Sequence, residues 1–181
     1  MNTLQLEKAL QGLKANTIGV YASDRIPITL SRPAAIVINT EENWRSGLHW
    51  VALYINKNGQ GFYFDSYGMP PYISYHAEQI RRNCIRYIWN ENQLQGYASK
   101  VCGQYCVVFL YYMAQGGNLK GFNKIFSSST RNNDVLILKI YNKILNMNKK
   151  KNQFTNKYIL DNSIGSGLYI QSCTSKICMN K

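Results

Sequence analysis

The chain has 181 residues, 45% of them apolar, and carries 21 basic against 9 acidic side chains, which gives a net charge of +12 at pH 7. This length fits one domain with a short appendage, and the apolar content can bury a core. No apolar run approaches the length of a transmembrane helix, which excludes a membrane-spanning protein. The positive charge favours polyanionic partners, nucleic acid before anionic membrane, with a merely soluble basic protein as the alternative.

The N-terminal residues are amphipathic and lack a long apolar core. No signal peptide is therefore predicted, and the protein is expected to act inside a cell. In that setting cysteines indicate catalysis, metal binding or a late redox event more than a disulfide scaffold. The cysteines are Cys84, Cys102, Cys106, Cys173 and Cys178.

Helices and strands are both predicted along the chain. Apolar residues at helical spacing predict helices at 3–15, 73–83, 102–115 and 134–147. Buried or alternating apolar runs predict strands at 34–39, 49–55, 61–65 and 85–89. The pair Asn58-Gly59 is a hairpin-turn signal between the second and third strands. Together these elements predict an α+β fold, in which a mixed central sheet packs against the helix at 102–115.

The composition of the chain changes at Asn146, and this change predicts the domain organisation. Residues 1–145 contain the predicted helices and strands of one domain. Residues 146–166 are rich in Asn and Lys and predict a flexible basic linker. Residues 167–181 form a short basic tail that contains two cysteines.

The residues that a thiol protease needs occur in order along the chain: His49, Asp65, Gln95 and Cys102. Cys102 opens the apolar helix, where the helix dipole and an imidazolium can hold its thiol as the reactive thiolate. Because His49 starts one strand of the predicted hairpin and Asp65 ends the other, both fall at the same end, where the carboxylate can orient the imidazole. The backbone N–H of Cys102 and the Gln95 amide can stabilise the oxyanion.

Each of these residues also has a structural interpretation. A lone His at a strand start is more often structural than catalytic, and the same holds for a lone Asp at a strand end; the only other histidine is His76. Cys106 lies one turn after Cys102 on an apolar helix, which predicts a core residue. A zinc site of Cys102, Cys106 and His49 would lack a fourth ligand and the usual close cysteine spacing, so no metal is predicted.

The segments that carry the four residues are Gly47-Leu48-His49-Trp50, Phe64-Asp65-Ser66-Tyr67-Gly68, and Gln95-Gly96 followed by Cys102-Gly103 and Cys106. With Gly19-Val20-Tyr21 and the run at 35–40, they make residues 3–115 resemble the adenovirus-type cysteine proteases, which are related to the SUMO-specific proteases. The resemblance implies a papain-like arrangement with an altered chain order and the nucleophile at a helix N-terminus. It implies that His49 is the base, Asp65 its partner, Gln95 the oxyanion donor and Cys102 the nucleophile. Asp65 stands where adenoviral members carry Glu.

The same resemblance gives the C-terminal tail a role. Adenoviral enzymes are activated by DNA and by a short basic peptide, in which Val-Gln-Ser is followed by a Cys that pairs with an enzyme cysteine upstream of the nucleophile. Both family spacings recur here, since Cys178 lies six residues after the Ser of Ile170-Gln171-Ser172 and Cys84 lies eighteen residues before Cys102. The resemblance thus implies that the chain carries its own activating tail, held by a Cys84–Cys178 disulfide, although this tail lacks the Arg cluster and has an extra cysteine.

The resemblance also implies a site of autocatalytic cleavage between Ser166 and Gly167. The family prefers a hydrophobic residue, any residue, Gly and a variable residue before the cut, often with Gly after it. The segment Ser163-Ile164-Gly165-Ser166 before Gly167 fits at both glycines and departs from the pattern at Ser163. A cut there would release the tail.

The predicted function is therefore a cysteine endopeptidase that cleaves viral capsid and core precursors at Gly-containing sites during virion maturation. The resemblance implies a monomer in the virion and host cell nucleus, activated by its own tail and by DNA. One alternative is a SUMO- or ubiquitin-like deconjugating protease, which would cut after Gly-Gly in a folded modifier; the Cys84/Cys178 pairing argues against it. The other is a non-catalytic basic DNA-binding protein, which has no reason to place His, Asp, Gln and Cys in this order.

Overall fold

The computed structural model describes residues 1–165, with side chains as far as residue 150. The helices are α1 (Thr3–Leu10), α2 (Ser74–Asn83), α3 (Cys102–Ala114), α4 (Leu119–Asn123) and α5 (Thr130–Gly165). The strands are β1 (Thr17–Tyr21), β2 (Ala34–Asn39), β3 (Trp50–Ile55), β4 (Gln60–Phe64) and β5 (Arg86–Trp89). The chain divides into a unit of Met1–Leu145 and a second unit that begins at Asn146, and the fold below is that of the first unit.

The strands form one sheet in the order of the sequence, β1-β2-β3-β4-β5. Strand β3 is antiparallel to both of its neighbours, β2 and β4, whereas β1 runs parallel to β2 and β5 runs parallel to β4. The predicted turn between β3 and β4 is present, and it uses Gly59 with a φ of 80°, a backbone conformation that favours glycine. In this hairpin Ala52 pairs with Phe64, so the residue before β3 and the residue after β4 emerge at the same end of the sheet.

Both faces of the central strands β2 and β3 are buried, because alternate side chains of these strands enter two different apolar clusters. On one face Val37 packs in a cluster with Phe109 of α3, and α1 contributes to the same cluster. On the other face Ile36 and Leu53 pack in a cluster with Ile80 of α2. This arrangement confirms the predicted α+β fold, with a mixed sheet packed against the helix that begins at the candidate nucleophile.

Three short features of this unit differ from the sequence prediction. Strand β1 was not predicted, since it has only five residues with Gly19 at its centre, and it pairs with β2 alone. Helix α1 ends at Leu10 rather than at residue 15; Gly12, a poor helix former, lies just beyond its C-terminal residue. Helix α4 has five residues, which is too short for a periodic apolar pattern.

Helix α5 is much longer than the helix predicted at 134–147. It begins at Thr130 and runs to Gly165, so the segment expected to be a flexible linker is helical over its described residues. Between Thr130 and Gly165 the sequence contains no proline and no internal glycine, the two residues that most disfavour a helix, and it contains six Lys, a good helix former. None of the helices in the described range is long and apolar enough to cross a bilayer. The activator motif and the cleavage site at 166–167 lie outside the described residues.

Candidate active site

The β3–β4 hairpin brings His49 and Asp65 together at one end of the sheet. His49 is the residue before β3, and Asp65 is the residue after β4. The Nε2 atom of His49 lies 2.9 Å from Oδ1 of Asp65, and the two side chains are only 12% and 4% exposed. Because Nε2 faces the carboxylate, Nδ1 is the ring nitrogen that remains for the nucleophile.

Asp65 is itself held by its neighbours. The backbone N–H of Tyr67 donates to Oδ1 of Asp65 at 2.8 Å, and the N–H of Gly68 donates to the Asp65 carbonyl at 2.8 Å, in a tight turn where Gly68 has a φ of 79°. The buried side chain of Asn90 accepts from the Asp65 N–H at 2.9 Å and donates to the Asp65 carbonyl at 2.6 Å. Sequence analysis missed Asn90, because only the pairing of β5 with β4 brings it beside Asp65.

Cys102 is the first residue of α3, as predicted. Burial by itself raises the pKa of the Cys102 thiol. The hydrogen bond and charge of His49, together with backbone hydrogen bonds from Trp50 and Gly103, outweigh burial and bring that pKa below its ordinary value. The positive end of the helix dipole acts in the same direction. The surroundings of Cys102 thus favour the thiolate.

The pKa of the His49 imidazole shifts in the opposite direction, upwards. Burial by itself lowers the pKa of His49, but hydrogen bonds with Asp65 and Cys102 and the negative charges of both groups raise it to about 9. A more acidic thiol beside a more basic imidazole favours a thiolate–imidazolium pair at neutral pH. This is the charge state in which a cysteine attacks a carbonyl carbon.

Gln95 lines the same cleft, and its side chain has a fixed orientation. The hydroxyl of Ser66 donates to Oε1 of Gln95 at 2.7 Å. The Nε2 amino group of Gln95 donates to the carbonyl of Ser99 at 2.9 Å and to the hydroxyl oxygen of Tyr67 at 3.3 Å. Because a carbonyl oxygen can only accept, the amino group must be the end of the amide that faces Ser99.

The segment that carries Gln95 is tied to two helices. The carboxylate of Asp134, in the first turns of α5, accepts from the N–H of Gly96 at 3.2 Å and from the hydroxyl of Tyr105 at 3.1 Å. The Nδ2 atom of the neighbouring Asn133 donates to the carbonyl of Leu94 at 3.2 Å. Side chains from α3 and α5 therefore fix the residues on either side of Gln95. Sequence analysis did not identify Asp134, which no motif marks.

Tyr67 is a further residue of the site that sequence analysis included only as part of a motif. Its ring stacks on the His49 imidazole, with centroids 4.7 Å apart and planes 26° apart. On its other side Tyr67 stacks with Tyr97 at 5.8 Å, and Tyr97 is 82% exposed. These three rings form a continuous stack from the buried base to solvent.

His49, Asp65, Gln95 and Cys102 all line one cleft of about 660 Å³. The structure therefore brings together the four residues that the sequence predicted for the site. Exposed apolar side chains lie along the same cleft: Leu48, Met69, Tyr72 and Tyr97. A cleft of this size, open to solvent and partly apolar, can hold an extended peptide segment.

Two other cysteines lie outside this cleft. Cys106 is fully buried, its thiol donates to the Trp50 carbonyl at 3.3 Å, and burial raises its pKa, as fits the predicted core residue. Cys84 follows α2, is half-buried with a pKa raised by burial to about 11, and forms no disulfide within residues 1–165. Its predicted partner Cys178 lies outside that range, so the pairing stays a prediction.

In the described part of the chain no three His, Cys, Asp or Glu side chains are grouped so as to hold a metal ion.

Comparison with known proteins shows which family the chain matches. The family model described as the adenovirus endoprotease matches residues 18–165. Among curated relatives, the protease of frog adenovirus 1 is 26% identical over 115 residues, which covers 55% of this chain and 56% of the relative. The protease of bovine adenovirus 7 is 33% identical over 89 residues, which covers 41% of this chain and 44% of the relative. The chain thus spans about half the length of these relatives.

Among solved structures, the crystal structure of an ASFV protease is similar with a TM-score of 0.41 and 19% sequence identity. The match covers 62% of this chain and 42% of the ASFV protein.

Proposed function

Because the chain belongs to the adenovirus endoprotease family, we propose that it is a cysteine endopeptidase with Cys102 as nucleophile and His49 as general acid and base. The observation that carries the proposal is that Cys102, at the start of α3, interacts with an imidazole that Asp65 holds at 2.9 Å. A thiol with a lowered pKa beside an imidazole with a raised pKa is the arrangement that nucleophilic catalysis needs.

In the first half-reaction the Cys102 thiolate attacks the carbonyl carbon of the scissile peptide bond. The imidazolium of His49 gives the Nδ1 proton to the leaving amine, and an acyl thioester remains on Cys102. In the second half-reaction neutral His49 takes a proton from a water molecule, whose oxygen adds to the thioester carbonyl. The Cys102 thiolate then leaves and the acid product departs. Asp65 keeps the imidazole oriented and stabilises its positive charge.

Each half-reaction forms a tetrahedral intermediate in which the former carbonyl oxygen carries a negative charge. The backbone N–H of Cys102, at the N-terminus of α3, is one proposed donor to this oxyanion. The side chain of Gln95 lies in the same cleft and supports the second donor position. Its hydrogen bonds to Ser66 and Ser99 fix it before substrate arrives, which makes electrostatic stabilisation effective.

The proposed substrates are viral capsid and core precursor proteins, cut at Gly-containing sites during virion maturation. This part of the proposal rests on the family, and on relatives named protease from two adenoviruses. The open cleft is compatible with an extended protein segment rather than a buried small molecule. We place the activity in the virion and the host cell nucleus, with the protein as a monomer.

The proposed activator is the chain's own tail at 167–181, added as a strand beside β5 and locked by a Cys84–Cys178 disulfide. Strand β5 is at the edge of the sheet, where its free backbone groups can pair with another strand. It presents exposed apolar side chains, and so does the residue that precedes it: Ile85, Tyr87 and Ile88. Cys84 lies just before this strand. Cleavage between Ser166 and Gly167, and sequence-independent DNA binding by the +12 chain, belong to the same proposal.

A cleavage assay on a library of Gly-containing peptides tests the proposed function. The parent chain should cleave the library, and Cys102→Ala should not. Cys106→Ala, which removes a buried thiol one turn further along α3, is the matched control and should retain cleavage. A modifier fusion with a Gly-Gly junction serves as the competing substrate. Cleavage of the fusion without cleavage of peptides would replace the endopeptidase with a deconjugase, and equal cleavage by the Cys102→Ala variant would contradict the proposed nucleophile.

A further inference from the structure

The two proposed oxyanion donors are carried by different parts of the chain. The backbone N–H of Cys102 belongs to α3, whereas the side chain of Gln95 belongs to the segment 94–96. Of the five residues that join them, 97–101, three are exposed, so the connecting chain alone does not fix their spacing. Two donors stabilise one oxyanion effectively only when they are in place before the reaction. A contact between α3 and the segment 94–96 is therefore needed.

Asp134 on α5 makes such a contact with both of its carboxylate oxygens. Oδ2 accepts from the backbone N–H of Gly96, the residue after Gln95, at 3.2 Å. Oδ1 accepts from the hydroxyl of Tyr105 at 3.1 Å, and Tyr105 lies one turn after Cys102 on α3. One carboxylate thus joins the two elements that carry the oxyanion donors.

Further hydrogen bonds hold the same segment. The side chain of Asn133 is 1% exposed, and its Nδ2 donates to the Leu94 carbonyl at 3.2 Å. The Tyr105 hydroxyl lies 3.1 Å from that same carbonyl. The backbone N–H groups of Leu94 and Gln95 donate to the carbonyl of Ser66, at 2.9 and 3.0 Å. The segment that carries Gln95 is therefore held by the turn after β4, by α3 and by α5.

The Asp134 carboxylate lies directly against the main chain of this segment. A Cβ atom added at Gly96 would lie 3.1 Å from Oδ2 of Asp134 and 3.6 Å from Oγ1 of Thr130. Burial, followed by the charge and the hydrogen bond of Asp134, raises the pKa of Tyr105, so its hydroxyl keeps its proton at neutral pH. Both partners of the carboxylate, the Gly96 N–H and the Tyr105 hydroxyl, are thus donors under the conditions of catalysis.

We propose that Asp134 is a positioning residue of the oxyanion hole. By joining Gly96 to Tyr105, its carboxylate sets the spacing between the two proposed donors. The proposal rests on the proposed function and concerns the same cleft. Asp134 is not among the described residues that line this cleft, so it acts through the residues it holds rather than on the substrate. A group misplaced by about 1 Å can cost roughly 10²-fold in rate, which makes such a contact matter for catalysis.

Replacement of Asp134 by alanine and by asparagine tests the proposal. Asp134→Ala removes both acceptors, and we expect kcat for peptide cleavage to fall roughly 10- to 10²-fold with KM nearly unchanged. Asp134→Asn should retain most of kcat, because its amide oxygen can accept from Gly96 and its amino group can donate to the Tyr105 oxygen. The matched control is Asn132→Ala, which removes an exposed side chain from the same turn of α5 and should leave kcat unchanged.

Two reagents separate the oxyanion hole from the nucleophile. A peptide aldehyde adds reversibly to the Cys102 sulfur, and its carbonyl oxygen then occupies the oxyanion hole. Asp134→Ala should therefore weaken inhibition by about the same factor as it lowers kcat/KM. Alkylation of Cys102 by iodoacetamide reports the thiolate–imidazolium pair and needs no oxyanion donor, so its rate should match that of the parent.

A double variant tests whether Asp134 acts through Gln95. In a Gln95→Ala background the donor that Asp134 positions is already absent. Adding Asp134→Ala should then lower kcat by less than about threefold, whereas independent roles would give multiplied losses.

Four results would overturn the role of Asp134: parent-like kcat in Asp134→Ala, equal losses in Asp134→Asn and Asp134→Ala, an alkylation rate that falls with kcat, or multiplied losses in the double variant. If thermal melting shows that Asp134→Ala does not fold, Tyr105→Phe decides instead. It keeps the buried ring and removes the α3 end of the contact, so it should weaken the aldehyde and leave alkylation unchanged. Parent-like aldehyde inhibition in Tyr105→Phe would then reject the role.

Failure of the proposed function has a different signature. The parent chain itself would cleave no peptide, and Cys102→Ala would change nothing.

Discussion

The Nε2 atom of His49 lies 2.9 Å from Oδ1 of Asp65, although sixteen residues separate them in the chain. Antiparallel pairing of β3 with β4 places both residues, because one precedes the first of these strands and the other follows the second. The pairing of two strands therefore sets the distance between the His49 imidazole and the Asp65 carboxylate. Substitutions at His49 and Asp65 should then affect the chemistry more than the fold.

The first prediction compares His49→Ala with Asp65→Asn. Removal of the imidazole takes away both the partner of the thiolate and the proton donor, so kcat should fall on the order of 10⁶-fold, nearly as much as we expect for Cys102→Ala. Asp65→Asn keeps an oxygen that can accept from Nε2, so its loss should be roughly ten- to a hundredfold milder. Steady-state kinetics on one peptide substrate measure both. A larger loss for Asp65→Asn than for His49→Ala would reverse the assigned roles.

The second prediction concerns the pH dependence of kcat/KM, which should be bell-shaped. As pH falls through the lowered pKa of Cys102, the thiolate is protonated and the nucleophile is lost. As pH rises through about 9, His49 loses the proton that the leaving amine needs. The alkaline limb should thus lie near pH 9.

The Asp65→Asn variant tests the cause of that alkaline limb. The Asp65 carboxylate helps to raise the pKa of His49, so removal of its charge should move the alkaline limb to lower pH. The profile of Cys106→Ala should match the parent, because that thiol is buried away from the cleft. An alkaline limb that does not move in Asp65→Asn would mean that another group titrates there.

The third prediction concerns the stability of the fold in acid. His76 is fully buried, its Nδ1 atom lies 3.1 Å from the Tyr63 hydroxyl, and burial lowers its pKa to about 4. In an unfolded chain the same group takes up a proton near pH 6.5. Between these values the unfolded chain binds more protons, so the free energy of unfolding should fall as pH drops from 6.5 to 4, by at most roughly 3 kcal/mol.

Urea unfolding at several pH values measures this contribution. The His76→Gln variant cannot titrate, so it should be less stable than the parent near pH 7 and should show a flatter dependence between pH 6.5 and 4. An unchanged slope in His76→Gln would assign the acid sensitivity to other groups.

The fourth prediction is that oxidation raises activity through the Cys84–Cys178 pair. Cys84 is half-buried and its pKa is raised by burial to about 11, so its thiol should react slowly unless its partner is held nearby. Under oxidising conditions the parent should gain activity, whereas Cys178→Ser should not. Cys173→Ser, which leaves the predicted pair intact, is the control. Mass mapping that pairs Cys84 with Cys173, or equal activity of Cys178→Ser and parent in both conditions, would contradict the pairing.

Several site residues were predictable from the sequence because strand and helix ends mark them. His49 and Asp65 flank the two strands of a hairpin that Asn58-Gly59 identifies, and Cys102 opens a long apolar helix. These are local signals, and the antiparallel pairing converts them into proximity without further information.

The remaining site residues depend on contacts that no local pattern encodes. Tyr67 reaches His49 because the turn after β4, with Gly68 at positive φ, folds the chain back on Asp65. Asn90 and Asp134 become part of the site only when β5 pairs beside β4 and α5 packs near Gly96. Such placements are properties of the tertiary structure, and the local pattern of a single sequence does not reveal them.

The most direct test of the central claim is to identify the cysteine that reacts with a peptide electrophile. The parent chain is treated at neutral pH with a Gly-containing peptide vinyl sulfone, and the modified residue is located by tandem mass spectrometry. We predict an adduct on Cys102 that is lost in His49→Ala while Cys84 and Cys106 stay unmodified, because among the three cysteines of the described residues only the Cys102 thiol has its pKa lowered by an imidazole. An adduct on another cysteine, with Cys102 unmodified in the folded parent, would contradict it.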